Sequence, residues 1–281
     1  MRHRTLTFSA SDGLDLFAQC WVPERPSSAV LALVHGIGEH SGRYSSLLRA
    51  LLPTAYAVWG FDQRGHGRSP GQRGHIRTWS EYRSDLACFL DTIVAHHPNT
   101  PIFLFGYSMG AMVVFDYAMR PPSPSSQRPH GLIVVGAPLD PETKGRGLLL
   151  TLARLLSRIW PRLPVPLGVP AEAISHDPTV IEALKADPLT HGQATVRWAT
   201  EFLDTVAWVN AHPETLTIPL LMLHGGKDPL CHVEGVQSWF DRLPLADKTL
   251  HIYPGSRHEV HNDTDRAQME EDLLAWLAQH L

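Results

Sequence analysis

The sequence predicts an α/β protein whose mostly parallel sheet is covered by helices on both faces. Short apolar runs rich in β-branched and aromatic residues alternate with longer segments of helical periodicity, a pattern typical of strands joined by crossover helices. The apolar runs are largely uninterrupted, as expected for strands that are buried on both sides. The chain has 281 residues, of which 43% are hydrophobic and 19% are charged, so it is long enough for one or two globular domains.

The predicted elements can be placed in order along the chain. An antiparallel hairpin comes first, with strands at residues 5–8 and 14–21 on either side of the Asp12-Gly13 turn. The apolar runs predict strands at residues 30–34, 55–61, 101–105, 131–135, 219–223 and 249–253. Helical periodicity predicts helices at residues 81–96, 109–119, 234–243 and 265–281. This alternation indicates a single α/β core.

One connection is much longer than the rest. About 80 residues separate the strand at 131–135 from the strand at 219–223, where about two to six residues and a helix are usual. We therefore expect residues 137–209 to form a helical cap inserted between late strands, and residues 1–136 and 210–281 to form the core.

The first part of this insertion, residues 144–162, predicts a basic amphipathic helix. It contains five basic residues and no acidic residue, in a chain with a net charge of −4. One helical face carries the apolar residues Leu149, Leu152, Leu156 and Ile159, and another carries Arg154 and Arg158. We expect the apolar face to turn inward over the site. The basic residues either rest on an anionic lipid surface or keep the outer face hydrated, and both interpretations stay open.

Composition excludes several kinds of partner and compartment. A net charge of −4 gives no basic face for nucleic acid. Cys20, Cys88 and Cys231 are odd in number and far apart, which indicates free thiols rather than a disulfide framework. The N-terminus lacks an apolar signal region, and no run of about 18 apolar residues could cross a membrane. We expect a cytoplasmic protein that is at most peripheral to the membrane.

The 17 histidines raise the question of a metal ion. The segment HEVH at residues 258–261 is one residue short of the H-E-x-x-H zinc motif, so it cannot present both imidazoles on one helix face. The loop Gly36-x-Gly38 is followed by Gly42, one residue late for a dinucleotide-binding G-x-G-x-x-G. We therefore expect neither a metal ion nor a cofactor.

A nucleophile is predicted at Ser108. Residues 106–110 have the sequence GYSMG, which fits the G-x-S-x-G turn that exposes a serine between a strand and a helix. The segment PIFLF precedes this turn and AMVVFDYAM follows it, which is the strand and helix setting that the motif requires.

A serine hydroxyl needs a general base, and the base needs an orienting acid. In this type of site the acid and then the histidine follow the serine along the chain. Asp228 follows the fifth apolar strand and His258 follows the last, so both would reach the carboxyl edge of the sheet beside Ser108. His251, inside its strand, and His261, about one helical turn further on, are the competing bases.

Acyl transfer also requires two backbone N–H groups that stabilise the oxyanion. The residue after the nucleophile, Met109, supplies the first. Ile37 supplies the second, because its loop directly follows the strand at 30–34.

These motifs resemble the monoacylglycerol lipase and lysophospholipase branch of the α/β-hydrolases. The matching segments cover nearly the whole core and part of the insertion: HGIGEHSGRY (35–44), FDQRGHGRSPGQRG (61–74), GYSMG (106–110), ADPLTH (186–191), GGKDPLC (225–231) and GSRHEVHND (255–263). The resemblance implies the α/β-hydrolase fold and a cap that admits an acyl chain. It also implies a triad of Ser108, Asp228 and His258, with the oxyanion hole at Ile37 and Met109.

The chain departs from this family at one position and matches it at three others. Family members often carry a tyrosine near the glycerol group, three residues before the aspartate of ADPL, where this chain has Leu184. This departure bears on selectivity for glycerol and not on ester hydrolysis. Glu39 and Arg43 match family positions near the site, where they either contact the substrate or hold the loop. Cys231 matches a family cysteine, a residue type that is usually a small buried apolar group.

Together these observations predict a serine ester hydrolase acting on a small lipid ester. A monoacylglycerol lipase that releases fatty acid and glycerol through an acyl-enzyme on Ser108 fits best. A lysophospholipase or a broad carboxylesterase would differ only in the alcohol that it accepts. A serine at this turn disfavours epoxide hydrolases and dehalogenases, which use an aspartate there. The remote alternative is an inactive ligand-binding protein on the same fold.

Overall fold

The computed structural model describes residues 2–51, 53–121, 123, 126–139 and 147–281. In this part of the chain eight strands form one sheet in the order β1-β2-β4-β3-β5-β6-β9-β10. The strands are β1 (Arg2–Ser9), β2 (Asp15–Val22), β3 (Ala29–Val34), β4 (Tyr56–Phe61), β5 (Ile102–Tyr107), β6 (Gly131–Val135), β9 (Leu220–Gly225) and β10 (Lys248–Tyr253). Strand β2 is antiparallel to both of its neighbours, and all other neighbouring strands of this sheet are parallel. The predicted mostly parallel sheet is confirmed.

Helices cover both faces of the sheet, as predicted. Those that flank it are α1 (Ser45–Leu51) and α8 (Arg266–Gln279) on one face, and α2 (Ser80–His96), α3 (Met109–Met119) and α7 (Val233–Arg242) on the other. Successive residues of β3 face opposite sides of the sheet, and residues two apart share a face. Val30 and Ala32 join the buried cluster that contains α3, whereas Leu31 and Leu33 join the cluster that contains α8.

The chain order creates a crevice at the carboxyl edge of the sheet. From β3 the chain moves to β4 on one side, and it then returns to β5 on the other side. Loops that leave neighbouring parallel strands in opposite directions open a crevice where α/β proteins bind ligands. Ile37 and Ser108 lie just beyond β3 and β5 at this edge, and Asp228 and His258 lie just beyond β9 and β10.

In the described residues of the long connection between β6 and β9 there are three α-helices and a short antiparallel strand pair. In order they are α4 (Gly147–Ile159), β7 (Pro164–Pro166), α5 (Pro178–Ala186), β8 (Gln193–Thr195) and α6 (Val196–Ala211). α6 packs against α3, and its Trp198, Val206 and Val209 belong to the main buried cluster. α4 rests on α6. The boundary of a cap at residues 137–209 stays a prediction.

The apolar face of α4 does not turn inward, contrary to the expectation from the sequence. Leu149, Leu152 and Ile159 are 62%, 54% and 73% exposed. The helix contacts α6 through a narrower stripe, in which Ser157 is buried and its hydroxyl lies 3.0 Å from that of Thr200. A helix that rests on a single neighbour buries only the side chains at the contact, so most of the leucine row stays in solvent.

The predicted parallel strands and core helices begin and end within two residues of the observed elements. The predicted hairpin forms from β1 and β2. α1, α5 and α6 were not predicted. Two members of the predicted basic helix, Lys144 and Arg146, lie outside the described residues. No helix in the described part of the chain is long and apolar enough to cross a membrane.

Candidate active site

Ser108 lies at a sharp turn between β5 and α3. Its backbone angles, a φ of 53° and a ψ of −116°, belong to a region that residues other than glycine rarely occupy. The turn lies very close to β3. At Gly110, in the first turn of α3, an added Cβ would lie 2.0 Å from the carbonyl oxygen of Val34. The N–H of Ser108 donates to the carbonyl of Val135 in β6 at 2.9 Å. The two neighbouring strands therefore hold the strained turn in place.

A hydrogen-bond chain joins Ser108 to two side chains from later loops. His258 Nε2 lies 2.9 Å from Ser108 Oγ, and His258 Nδ1 lies 2.7 Å from Asp228 Oδ2. The other oxygen of Asp228 accepts the backbone N–H groups of Leu230 at 2.8 Å and Cys231 at 3.0 Å. These bonds hold the carboxylate beside Nδ1, which leaves the lone pair of Nε2 facing the serine hydroxyl.

The surroundings of His258 make its ring a stronger base than free imidazole. Burial by itself would lower the pKa of His258, but the Asp228 carboxylate raises this pKa well above its usual value of 6.5. Burial would likewise raise the pKa of Asp228, but the His258 ring lowers it below its usual value of 3.8. The carboxylate therefore stays ionised and stabilises an imidazolium beside it.

The competing histidines have other surroundings. His251 is half-buried in β10, and its Nδ1 lies 3.7 Å from a carboxylate oxygen of Asp272. His261 is fully buried and stacks on the ring of Tyr44 with 5.1 Å between centroids. Of the three candidates, His258 is the one hydrogen-bonded to Ser108.

Cys231 lies beside this pair. Its thiol is buried, and burial raises its pKa. Among the described residues, Asp228, Cys231 and His258 form the one group of three side chains whose metal-ligand atoms lie within 4.8 Å of one another. A metal ion bound there would have to break the hydrogen bond between Asp228 and His258.

The two predicted N–H donors, Ile37 and Met109, belong to residues close to Ser108. Met109 is the first residue of α3, so its N–H has no acceptor inside the helix. Ile37 lines the same cavity as Ser108 and His258. The roles of Ile37 and Met109 in an oxyanion hole remain predictions.

Glu39 and Arg43 belong to a buried ionic network beside the site. Arg43 donates from Nε to Glu39 at 3.0 Å and from Nη2 to Glu259 at 3.2 Å. Glu39 also accepts the hydroxyl of Tyr44 at 2.7 Å and the N–H of Gly36 at 2.6 Å. Both carboxylates are therefore occupied by internal donors, which favours a structural role for Glu39 over direct contact with a substrate.

A cavity of about 430 Å³ opens at Ser108. Its apolar lining is formed by Leu167, Val169, Ala171, Ile174, Leu184 and Leu230, and its polar lining includes Glu39, Arg43, Asp187 and Thr190. Leu184 is part of this lining, and its contact with the alcohol of a substrate stays a prediction. A mainly apolar wall with a few polar groups suits a molecule that has an apolar and a polar end.

Much of the apolar lining comes from the segment between α4 and α5, and not from α4. Leu167, Val169 and Ile174 belong to this segment, which the sequence did not indicate as part of the site. Its prolines suppress helical and strand periodicity, so its position after the basic helix is the only signal that could have pointed to it.

The insertion is hydrogen-bonded to the loop that carries Ile37. His40 Nε2 lies 2.8 Å from Asp187 Oδ2, and the N–H of His191 donates to the carbonyl of Gly38 at 2.8 Å. Gly38 has a φ of 76°, and a Cβ there would lie 2.3 Å from the carbonyl oxygen of His191. The part of the insertion around residues 187–191 therefore packs directly on this loop.

Comparison with known proteins gives consistent matches over almost the entire chain. The sequence profile of a family described as serine aminopeptidase, S33, matches residues 25–265. A monoacylglycerol lipase of Mycolicibacterium smegmatis is 32% identical over 276 residues, which cover 98% of this chain and 97% of that protein. A phospholipase of Bacillus subtilis is 30% identical over 262 residues, which cover 93% of this chain and 99% of that protein. The crystal structure of a monoacylglycerol lipase from Paleococcus ferrophilus matches with a TM-score of 0.81 and 28% identity, covering 100% of both chains.

The family profile spans all the loops that form the site, from Ile37 to His258. The resemblance to the monoacylglycerol lipase and lysophospholipase branch is confirmed by the relatives and by the solved structure. The chain therefore belongs to the serine aminopeptidase S33 family, Hydrolase_4, and is a serine hydrolase with the α/β-hydrolase fold.

Proposed function

We propose that this protein is a monoacylglycerol lipase that uses Ser108 as its nucleophile. The hydrogen-bond chain from Asp228 through His258 to Ser108, at a cavity with apolar and polar linings, is the observation that carries this proposal. The name of the Mycolicibacterium smegmatis relative supports glycerol as the alcohol.

In the proposed reaction, Ser108 Oγ attacks the ester carbonyl carbon while His258 Nε2 takes the hydroxyl proton. The N–H groups of Ile37 and Met109 stabilise the negative charge on the carbonyl oxygen. Asp228 remains ionised and stabilises the imidazolium. His258 then donates its proton to the glycerol oxygen as the C–O bond breaks, which leaves the acyl group on Ser108.

Water completes the cycle. His258, now neutral, takes a proton from a water molecule whose oxygen attacks the acyl-enzyme carbonyl. When the tetrahedral intermediate collapses, the proton returns to Ser108 Oγ and the fatty acid leaves. The same side chains therefore serve both halves of the reaction.

The charges beside the cavity favour a neutral alcohol. Glu39 and Glu259 bring two negative charges against the single positive charge of Arg43, so a phosphate group would meet net negative charge there. Lys185 also lines the cavity, but its side chain is exposed and pairs with Glu172 at 2.7 Å. This balance supports glycerol over an alcohol that carries phosphate.

A lysophospholipase is the second candidate, because the Bacillus subtilis relative is a phospholipase. A broad carboxylesterase is the third, since Leu184 offers no hydrogen bond to an alcohol. An aminopeptidase would need a free carboxylate to bind the amine of its substrate. The carboxylates that line the cavity, those of Glu39, Glu259 and Asp187, already have internal hydrogen-bond partners, so this activity is disfavoured.

Removing the nucleophile tests the assignment of Ser108. Ser108→Ala should lower turnover of a monoacylglycerol by about 10⁴ to 10⁶-fold and abolish labelling by a fluorophosphonate probe. Ser238→Ala, which changes an exposed serine of α7, is the matched control and should retain wild-type activity. Equal turnover by the two variants would contradict the assignment. A wild-type protein that neither takes the label nor hydrolyses an ester would instead be an inactive ligand-binding protein.

A substrate comparison tests the alcohol preference. Monoacylglycerols of several chain lengths are assayed beside lysophosphatidylglycerol with the same acyl chains, because its headgroup carries the phosphate charge without a cation. We expect the higher kcat/KM for the monoacylglycerol at each chain length, because the charges of Glu39 and Glu259 disfavour phosphate. A higher value for the lysophospholipid would make the protein a lysophospholipase.

The pH dependence of hydrolysis tests His258. Burial disfavours the charged ring, but Asp228 raises the pKa of His258 well above 6.5, and the base must be neutral to act. With a p-nitrophenyl ester, kcat/KM should therefore rise with pH through a midpoint above about 6.5. Asp228→Asn should move the midpoint to lower pH and lower kcat by about 10⁴-fold. A rate independent of pH would rule out His258 as the base.

We also propose that residues 137–209 act as a cap that docks on an anionic lipid surface. The large exposed apolar side chains of this region are Leu149, Leu152, Leu155, Ile159, Trp160 and Val169. Arg158 and Arg162 are exposed next to them. An apolar face bordered by cations is typical of helices that lie in the headgroup region of a membrane.

Vesicle binding tests this docking. Replacing Ile159 and Trp160 together with serine should weaken binding to neutral and anionic vesicles alike. Replacing Arg158 and Arg162 together with glutamate should weaken binding to anionic vesicles by about tenfold or more. Arg154 is a poorer choice, because it already pairs with Asp204 at 2.8 Å.

The matched control is the double change Arg2→Glu and Arg4→Glu in the exposed strand β1, outside the insertion. It alters the net charge as much as the arginine variant of the cap does, and it should retain binding to anionic vesicles. Cap variants that bind as well as this control would show that α4 does not dock.

A further inference from the structure

The peptide group that carries the N–H of Ile37 is held by a buried histidine. His35 directly follows β3 and is fully buried. Its Nδ1 lies 2.7 Å from the carbonyl oxygen of Gly36. This carbonyl and the N–H of Ile37 belong to the same peptide group, and in a planar trans peptide they point in opposite directions. Fixing the carbonyl therefore fixes the direction of the N–H.

The other ring nitrogen of His35 determines which tautomer is present. The backbone N–H of Gln63 donates to His35 Nε2 at 2.9 Å, so Nε2 holds the lone pair and Nδ1 holds the hydrogen. Burial lowers the pKa of His35 despite the nearby carboxylates of Glu39 and Asp62, which keeps the ring neutral. The ring is therefore set as a hydrogen-bond donor to Gly36.

This part of the backbone needs such a restraint. Gly36 and Gly38 lie on either side of Ile37, and Gly38 has a φ of 76°. Glycine permits backbone rotations that other residues resist, so on the Gly36 side nothing intrinsic fixes the orientation of the peptide between Gly36 and Ile37. Glu39 Oε1 accepts the N–H of Gly36 at 2.6 Å and fixes the preceding peptide. Two side chains thus hold two successive peptide groups.

We propose that His35 is a positioning residue for the oxyanion hole. Its Nδ1–H holds the carbonyl of Gly36 so that the N–H of Ile37 points at the carbonyl oxygen of the reacting ester. His35 acts through the backbone and touches no substrate. A donor that is oriented in advance needs no reorganisation during the reaction, which is the source of its effect on rate. The inference rests on the proposed function, because the oxyanion forms only if Ser108 attacks a carbonyl.

Substitutions of His35 separate this role from packing. His35→Asn keeps an amide N–H near the position of Nδ1, whereas His35→Gln places its amide near the position of Nε2. We expect kcat to fall by about 10 to 100-fold in the Gln variant with KM nearly unchanged, less than the roughly 10² to 10³-fold cost of losing a donor outright. His35→Asn should recover most of this activity.

His66→Gln is the matched control. His66 is equally buried, and its ring centroid lies 5.3 Å from that of His35. Its Nδ1 lies 3.0 Å from the carbonyl of Arg64, not from the loop of Ile37. The control therefore loses a buried imidazole without releasing the Gly36 carbonyl, and it should keep its kcat. All variants are assayed below their own unfolding temperatures, as measured by circular dichroism.

Inhibitor binding gives a readout that a packing defect would not reproduce. An alkyl trifluoromethyl ketone forms a tetrahedral adduct with the serine whose oxyanion needs the hole, whereas a 1-O-alkylglycerol ether has no carbonyl oxygen. In His35→Gln, affinity for the ketone should fall in parallel with kcat/KM, and affinity for the ether should stay unchanged.

Two results would overturn the role of His35. One is an equal loss of affinity for both ligands, and the other is an unchanged kcat in folded His35→Gln protein. Failure of the wild-type protein to hydrolyse esters or to bind the ketone would overturn the proposed function itself. The wild-type measurements therefore distinguish the two failures.

Discussion

The strained backbone at Ser108 is the constraint on which the rest of the site depends. A side chain at positive φ persists only where its surroundings allow no alternative. Here the turn is bonded to β6, and α3 begins so close to β3 that position 110 has room only for hydrogen. These contacts exist because β3, β5 and β6 are adjacent parallel strands. The order of the strands thus fixes the position of the hydroxyl that His258 contacts.

Two buried clusters of charged side chains lie within this framework. They differ in whether all of their hydrogen-bond partners are fixed internal groups. The carboxylates of Glu39 and Glu259 accept hydrogen bonds from Arg43 and from other internal donors, so neither carboxylate is free for a ligand. The pair of Asp228 and His258 is completed by a serine hydroxyl, a partner that can give up its proton. The first arrangement stabilises the loop conformation, and the second is suited to proton transfer.

The sequence was sufficient for the strands and for the order of the site residues. Strands buried on both faces leave unbroken apolar runs, and loops after parallel strands meet at one edge, which brought Ser108, Asp228 and His258 together. The orientation of α4 could not be predicted, because periodicity says which residues share a face and not what covers that face. The contacts of His35 were also beyond reach, since its partner Gln63 lies 28 residues away and no local pattern records the pairing.

Parallel neighbours such as β6 and β9 require a crossover helix, and α6 alone meets that requirement. The residues between β6 and α6 are therefore additional to the fold. Those that the structure describes take no part in the register of the main sheet. Lengthening such a segment costs only about 0.6 kcal/mol for each doubling of its length. The cavity wall that this segment supplies can accordingly change in length at little cost to the sheet that positions Ser108.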